Sequence, residues 1–158
     1  MLTIDEIILN ILLDAKNNNN DLLKHFKINY PSNRVAEDSN SIFVASVDSE
    51  AHNVAFDSQS FVDKVEVLIV TKNREYTKAI RIIKSVSREI IRLVMANQDK
   101  FVNKVYVERV TPEYNKDFVL TRGHIMFRMN TEMDTFDIDE ETLTVCQILT
   151  EDMDVIEE

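Results

Sequence analysis

Glycine is nearly missing: Gly123 is the single one in 158 residues, where average usage of about 7% would place roughly 11. That scarcity excludes glycine-rich phosphate loops, dinucleotide fingerprints and nucleophile elbows, all of which need glycines this chain lacks. Cysteine is also single. Cys146 cannot form an intrachain disulfide, so the fold does not depend on an oxidising compartment, and a reducing interior is the expected home. No apolar run approaches the roughly 20 residues that span a bilayer. Met1 to Leu13 is apolar, but it carries Asp5, Glu6 and Asn10 and no basic region, so it reads as something other than a signal peptide. The expectation is a cytoplasmic protein with no membrane partner.

Base is missing from one end of the chain. Residues 132–158 hold 11 acidic residues and no lysine or arginine. The remaining 17 of the 28 acids share residues 1–131 with all 18 bases, so the body is nearly neutral, at +1, and the extension, at −11, sets the chain's net charge of −10. A polyanionic surplus disfavours nonspecific binding to nucleic acid or anionic membrane. Apolar residues at 44% and charged residues at 29% describe a folded globular chain, and its length suits one domain.

What is present reads as α+β. Thr3 and Glu6 have capping-box spacing, and Ile4, Ile7, Ile8, Ile11 and Leu12 follow a helical period, predicting a helix over 3–16. Asn17 to Asn20 marks its end, and Leu22, Leu23 and Phe26 suggest a short helical turn before Tyr30-Pro31. Within the Ser/Asn/Asp-rich stretch 32–60, Ile42 to Val47 reads as a short strand, and Phe61 to Thr71, rich in valine, as the best strand in the chain. From Asn73 to Asn97 the apolar residues Tyr76, Ile80, Ile83, Val86 or Ser87, Ile90, Ile91 and Val94 step by three and four. They predict a long amphipathic helix that packs on the sheet through Ile80, Ile83, Ile90 and Val94. Strands over 104–110 and 118–129 follow, with Thr111 to Asp117 as the hairpin loop between them. The expected fold is a mostly antiparallel sheet with an N-terminal helix and one long amphipathic helix packed on it. A core of residues 1–131 then precedes an acidic C-terminal extension, 132–158, in which Leu143, Val145, Ile148 and Leu149 could add a strand to a supplied edge.

Signals of catalysis are absent. His25, His52 and His124 fall in a helical turn, a loop and a strand, with no second ligand at metal spacing beside any of them. The acidic string from Asp137 lacks the glycine and the acidic twelfth position of a calcium loop, where Thr142 and Ile148 stand. Cys146 lies in an apolar run with no nearby histidine and is expected to be a buried or half-buried inert thiol. No cofactor, metal or catalytic residue is expected. The informative patch is basic: Lys78, Arg81, Lys84, Arg88 and Arg92 stripe the outer face of the long helix, with Glu89 the sole acid beyond its first turn. Such a stripe is either a plain solvated face or a contact for an acidic partner, with nucleic acid a third reading that the charge of −10 opposes. The candidate interface residues are therefore these five cations together with Phe136, Leu143 and Val145 of the extension.

The N-terminal helix, the segment Val62 to Val70, the long helix from Arg74 to Met95 and the closing Ile125-Met-Phe-Arg-Met129 together resemble the tail terminator, or tail completion, proteins of long-tailed bacteriophages. Element order and size over residues 1–130 carry the resemblance, and no catalytic motif enters it. It implies a structural, non-enzymatic virion protein that closes as a ring of copies, a hexamer, on the head-proximal end of the tail. The ring would stop tail-tube polymerisation and offer the surface to which the head joins. Its partners would be itself, the tail tube protein and a head completion or neck protein, with DNA only as cargo passing through the lumen. It would assemble in the host cytoplasm and end in the virion. Another neck or head–tail joining protein or a tail assembly factor is an alternative at this level, and a small enzyme or nuclease with dispersed site residues is an alternative of a different class.

Overall fold

A computed structural model describes residues 2–31, 39–55, 58–114, 121–134 and 145–152. The chain is α+β: helix α1 (Ile4–Asn17), a 3₁₀ turn (Leu23–His25), strands β1 (Lys27–Asn29), β2 (Ser41–Ala55) and β3 (Ser58–Thr71), helix α2 (Tyr76–Ala96), a second 3₁₀ turn (Gln98–Lys100), and strands β4 (Val105–Glu113) and β5 (Thr121–Asp134). A further helix, α3, spans residues 145–152. The five strands form one sheet in the order β1-β2-β3-β5-β4, antiparallel except for the parallel β1–β2 pair.

Alternation along the strands sorts two faces. Ile42, Val44, Val65, Val67, Ile69, Ile125, Phe127, Met129 and Val105 point to one side and are buried there with Ile8, Leu12, Ile83, Ile90 and Val94 of the helices. Helix α1 lies over β1, β2 and β3, and α2 over β3, β5 and β4. Ile83, Ile90 and Val94 make the expected contact, joined by Val86, whereas Ile80 is only half-buried and Tyr76 is exposed. A side chain on the flank of the apolar stripe fits the same period without reaching the core.

Asparagine takes the places that glycine would ordinarily hold. Asn19, at φ 62°, adopts the left-handed conformation just past α1. The amides of Asn19 and Asn20 then close back on the carbonyls of Lys16 and Ala15 (3.1 and 3.0 Å), a Schellman ending built without glycine. Asn20 Oδ1 next accepts from the amides of Leu22 and Leu23, at 3.1 Å each, and starts the 3₁₀ turn. Where that turn enters β1, Asn40 Oδ1 accepts from Thr71 Oγ1 and the Lys72 amide (3.1 and 3.0 Å), tying the start of β2 to the exit of β3. Gly123 itself sits where α2 crosses β5: a Cβ there would overlap Cγ2 of Ile83 and lie 3.5 Å from its Cδ1.

Several elements differ from expectation. The strand expected at 42–47 runs from Ser41 to Ala55, because the polar residues after Val47 pair in register with Ser58–Lys64 and so satisfy their backbone groups in a hairpin. His52 accordingly lies in β2 and not in a loop. Thr111, Pro112 and Glu113 extend β4 rather than forming a loop, and β4 is an edge strand, where a proline lacking N–H is tolerated. β1 has no counterpart in the sequence expectation, since three residues carry no periodicity. β5 continues past residue 131 to Asp134, pairing with β3 as far as Ser58.

Candidate functional site

The α2 stripe is set by the same period that buries the opposite side. Asn73 Oδ1 accepts from the Glu75 amide at 3.0 Å and turns the chain into the helix. Lys78, Arg81, Lys84, Arg88 and Arg92 are all exposed on the face away from the sheet. They are not equivalent. Lys78 Nζ pairs with Glu75 at 3.2 Å. Arg92 Nε donates to Glu89 Oε2 at 3.0 Å and its Nη2 meets Oε1, while Asn20 Nδ2 donates to the same carboxylate at 3.0 Å. The hydrogen bond from Arg92 is the chief cause that holds the Glu89 carboxyl below its ordinary range; partial burial opposes it and the Asn20 amide assists. The same bond raises the Arg92 guanidinium. Arg92 therefore has an intrahelical partner, Glu89 at i−3, and is no part of an unpaired stripe. Among the described residues, Arg81, Lys84 and Arg88 have no carboxylate within salt-bridge distance, so the uncompensated charge is concentrated in about two turns of the helix.

Of the candidates in the extension, Phe136 and Leu143 lie outside the described residues. Val145 opens α3 and is exposed, as are Ile148 and Leu149. In place of the strand that their composition allows, these residues are helical: 145, 148 and 149 share one helix face, the i, i+3, i+4 spacing. Cys146, expected to be buried or half-buried, is exposed on this helix, because nothing among the described residues covers it. Its carbonyl accepts from Thr150 Oγ1 at 2.9 Å.

The sheet face turned away from the helices carries a polar group that sequence reading missed. His124 on β5 lies between Glu66 of β3 and Glu113 of β4, with Nδ1 3.2 Å from Glu66 Oε1 and Nε2 2.9 Å from Glu113 Oε2. Lys64 pairs with Glu108 at 3.3 Å on the same face. Both imidazole nitrogens are engaged by carboxylates. Among the described residues no group of three His, Cys, Asp or Glu side chains is arranged to hold a metal ion, and no helix is long and apolar enough to cross a membrane. The signal that could have found the cluster is strand register, which places His124 beside Leu68 and Thr111 and so within reach of Glu66 and Glu113 on the same face.

Besides the outer sides of the edge strands β1 and β4, the sheet leaves two further lengths of strand edge open among the described residues. β1 pairs only with Ser41–Phe43, so β2 from Val44 to Ala55 has no neighbour on that side, and β5 beyond Met129 has none from β4. Comparison with protein-family models and with curated protein sequences returns no match.

Proposed function

We propose that the chain is a structural virion protein, a tail terminator that closes as a ring on the head-proximal end of a phage tail, stops tube polymerisation and offers the head-joining surface. The observation that carries this reading is the uncompensated cationic face of Arg81, Lys84 and Arg88 on a chain whose C-terminal extension holds 11 acids and no base. A ring subunit presents two different surfaces, each complementary to the other on the next copy, so that one heterologous contact repeats around an axis until it closes. The open edges of β2 and β5 are further surfaces of the kind an assembly covers. The α+β element order supports the same resemblance over residues 1–130. Such a protein belongs in the host cytoplasm during assembly and then in the virion, with the tail tube protein on one side, a head completion or neck protein on the other, and DNA passing through the lumen.

The test has two parts. Sedimentation and negative-stain microscopy of the purified chain should give closed rings. Rings added to a self-polymerising tail tube protein should bind at one end and arrest growth. Rings that leave growth unchanged would shift the role to a neck or joining protein, and a strict monomer at high concentration would refute the ring.

A further inference from the structure

The cationic face of α2 has an apolar border. Glu89 is hydrogen-bonded to Asn20 at the end of α1, which fixes the side of α2 that faces α1. Ile80, Lys84 and Ile91 are nine, five and two residues away, about 140–200° around the helix, so they lie on the opposite flank, toward β4. Val110 of β4 pairs with the buried Ile125 and so stands on the helix side of the sheet, yet it is 42% exposed, since β4 is the edge strand. Tyr76 and Tyr114, in edge-to-face contact at 4.8 Å, bridge the start of α2 to the end of β4. The flank therefore presents half-covered Ile80, Ile91 and Val110 beside Lys84 and Arg88, neither of which has a carboxylate partner among the described residues.

Helix α3 has the complementary make-up. Val145, Ile148 and Leu149, at 43, 50 and 57% exposure, form an uncovered apolar side. Glu151 and Asp152 follow at its end, and Asp154, Glu157 and Glu158 come next in sequence with no base among them. Because its backbone groups are bonded within the helix, this segment cannot extend a sheet edge, which leaves helix docking as its mode of attachment. β5 pairs with β4 as far as Met129 and carries the chain five residues past it to Asp134, about 17 Å along the strand. This stretch runs beyond the start of β4, and all of α3 is exposed on its own subunit.

We infer that the α2–β4 flank is the docking surface for the acidic C-terminal segment of a second copy of this chain. The apolar side of α3 covers Ile80, Ile91 and Val110, and its carboxylates meet Arg81, Lys84 and Arg88. This deepens the ring reading by naming the two halves of the repeated contact, and it rests on that reading only in requiring that copies associate.

The test uses two full-length variants: Arg81→Glu/Lys84→Glu/Arg88→Glu, which spoils the acceptor, and Val145→Ser/Ile148→Ser/Leu149→Ser, which spoils the donor. All six residues are exposed, so circular dichroism should report folded chains for both. Each variant alone should associate at least about tenfold more weakly than the wild type, and the wild-type association should weaken as salt is raised. An equimolar mixture should form a heterodimer and nothing larger, because only one sound contact remains between the two variants. Wild-type assembly that survives both sets of changes overturns the docking and leaves the ring reading standing. Protection of 145–152 from hydrogen exchange that is independent of concentration means that the segment docks on its own chain, and overturns the second copy. A wild type that stays monomeric at high concentration overturns both, whereas rings that obey the mixing rule but fail to arrest tube growth overturn only the terminator role.

Discussion

Gly123→Ala is the sharpest test of the packing. The added methyl would overlap Cγ2 of Ile83, a residue 1% exposed on the buried side of α2. Cγ2 is a branch methyl on a helical residue, and isoleucine in a helix has one strongly preferred χ1 well, so rotation cannot clear it. The helix must lift from β5 instead. Overpacking costs about 1–3 kcal/mol; an overlap this deep takes the upper part of that range, about 2–3 kcal/mol, and replacing glycine in a strand returns about 0.5–1 kcal/mol, leaving a net loss of about 1–2.5 kcal/mol. For a chain of this length that is about 2–10 °C in Tm. Ile83→Ala alone should cost about 2–5 kcal/mol through the cavity it leaves. The double variant should then cost at least about 1 kcal/mol less than the two single losses together, because the methyl added at position 123 enters the space that Cγ2 vacates while the Cβ of residue 83, 3.6 Å away, is in ordinary contact. Urea unfolding followed by circular dichroism measures all three. Additivity within about 0.5 kcal/mol, or a Gly123→Ala variant as stable as the parent, would refute the close approach of α2 to β5 at this point.

Two further outcomes follow from hydrogen bonds of the fold. The Glu89 carboxyl holds its proton more weakly folded than unfolded, so its pairing stabilises the fold above the unfolded value of about 4.3 and is lost as the pH falls through the lower folded value; Glu89→Gln should therefore cost less than about 1 kcal/mol at neutral pH and nothing once both states are protonated, and a difference that persists unchanged at the most acid pH the fold survives would show that the charge is not its origin. Gln98 holds both main-chain groups of Val105 through its side-chain amide, Nε2 donating to the carbonyl at 2.9 Å and Oε1 accepting from the amide at 3.0 Å; Gln98→Ala should cost about 1–3 kcal/mol and speed hydrogen exchange at the start of β4, and unchanged exchange at Val105 would mean that the bridge contributes nothing.

How far the fold is legible in the sequence depends on the range of the information. α2 is readable because helical burial is a local period, and Ile83, Ile90 and Val94 fall on it whatever the rest of the chain does. The same period cannot tell Ile80 from Ile83, since that distinction depends on which flank the sheet covers. The second half of β2 is hidden because Ser49, Glu50 and Asn53 are poor strand formers held in place by their pairing with Asp63, Val62 and Gln59. The site divides along the same line. The cationic stripe is a helical pattern and is visible, whereas the tie from Asn20 to the Glu89–Arg92 pair and the Glu66–His124–Glu113 group both join residues distant in sequence. The apolar run at 145–149 fits a strand and a helix equally well by composition, and no long-range pairing among the described residues decides in favour of the strand.

The central pairing of β3 with β5 also dictates how the chain comes together in time. β2 and β3 meet across a tight connection, Ala55 opposite Ser58, and β4 and β5 join as the next sequence neighbours. The seam between these two hairpins, in contrast, links residues 50 positions apart at Thr71 and Thr121 and 76 apart at Ser58 and Asp134. Closing so long a loop costs chain entropy before any contact across the seam repays it. This topology predicts that the two hairpins form first and that their docking along β3–β5, with α2 packing over the seam at Gly123, comes late. A change at that crossing slows refolding only as far as the seam has closed in the transition state; a change confined to the β2–β3 turn alters the earlier step.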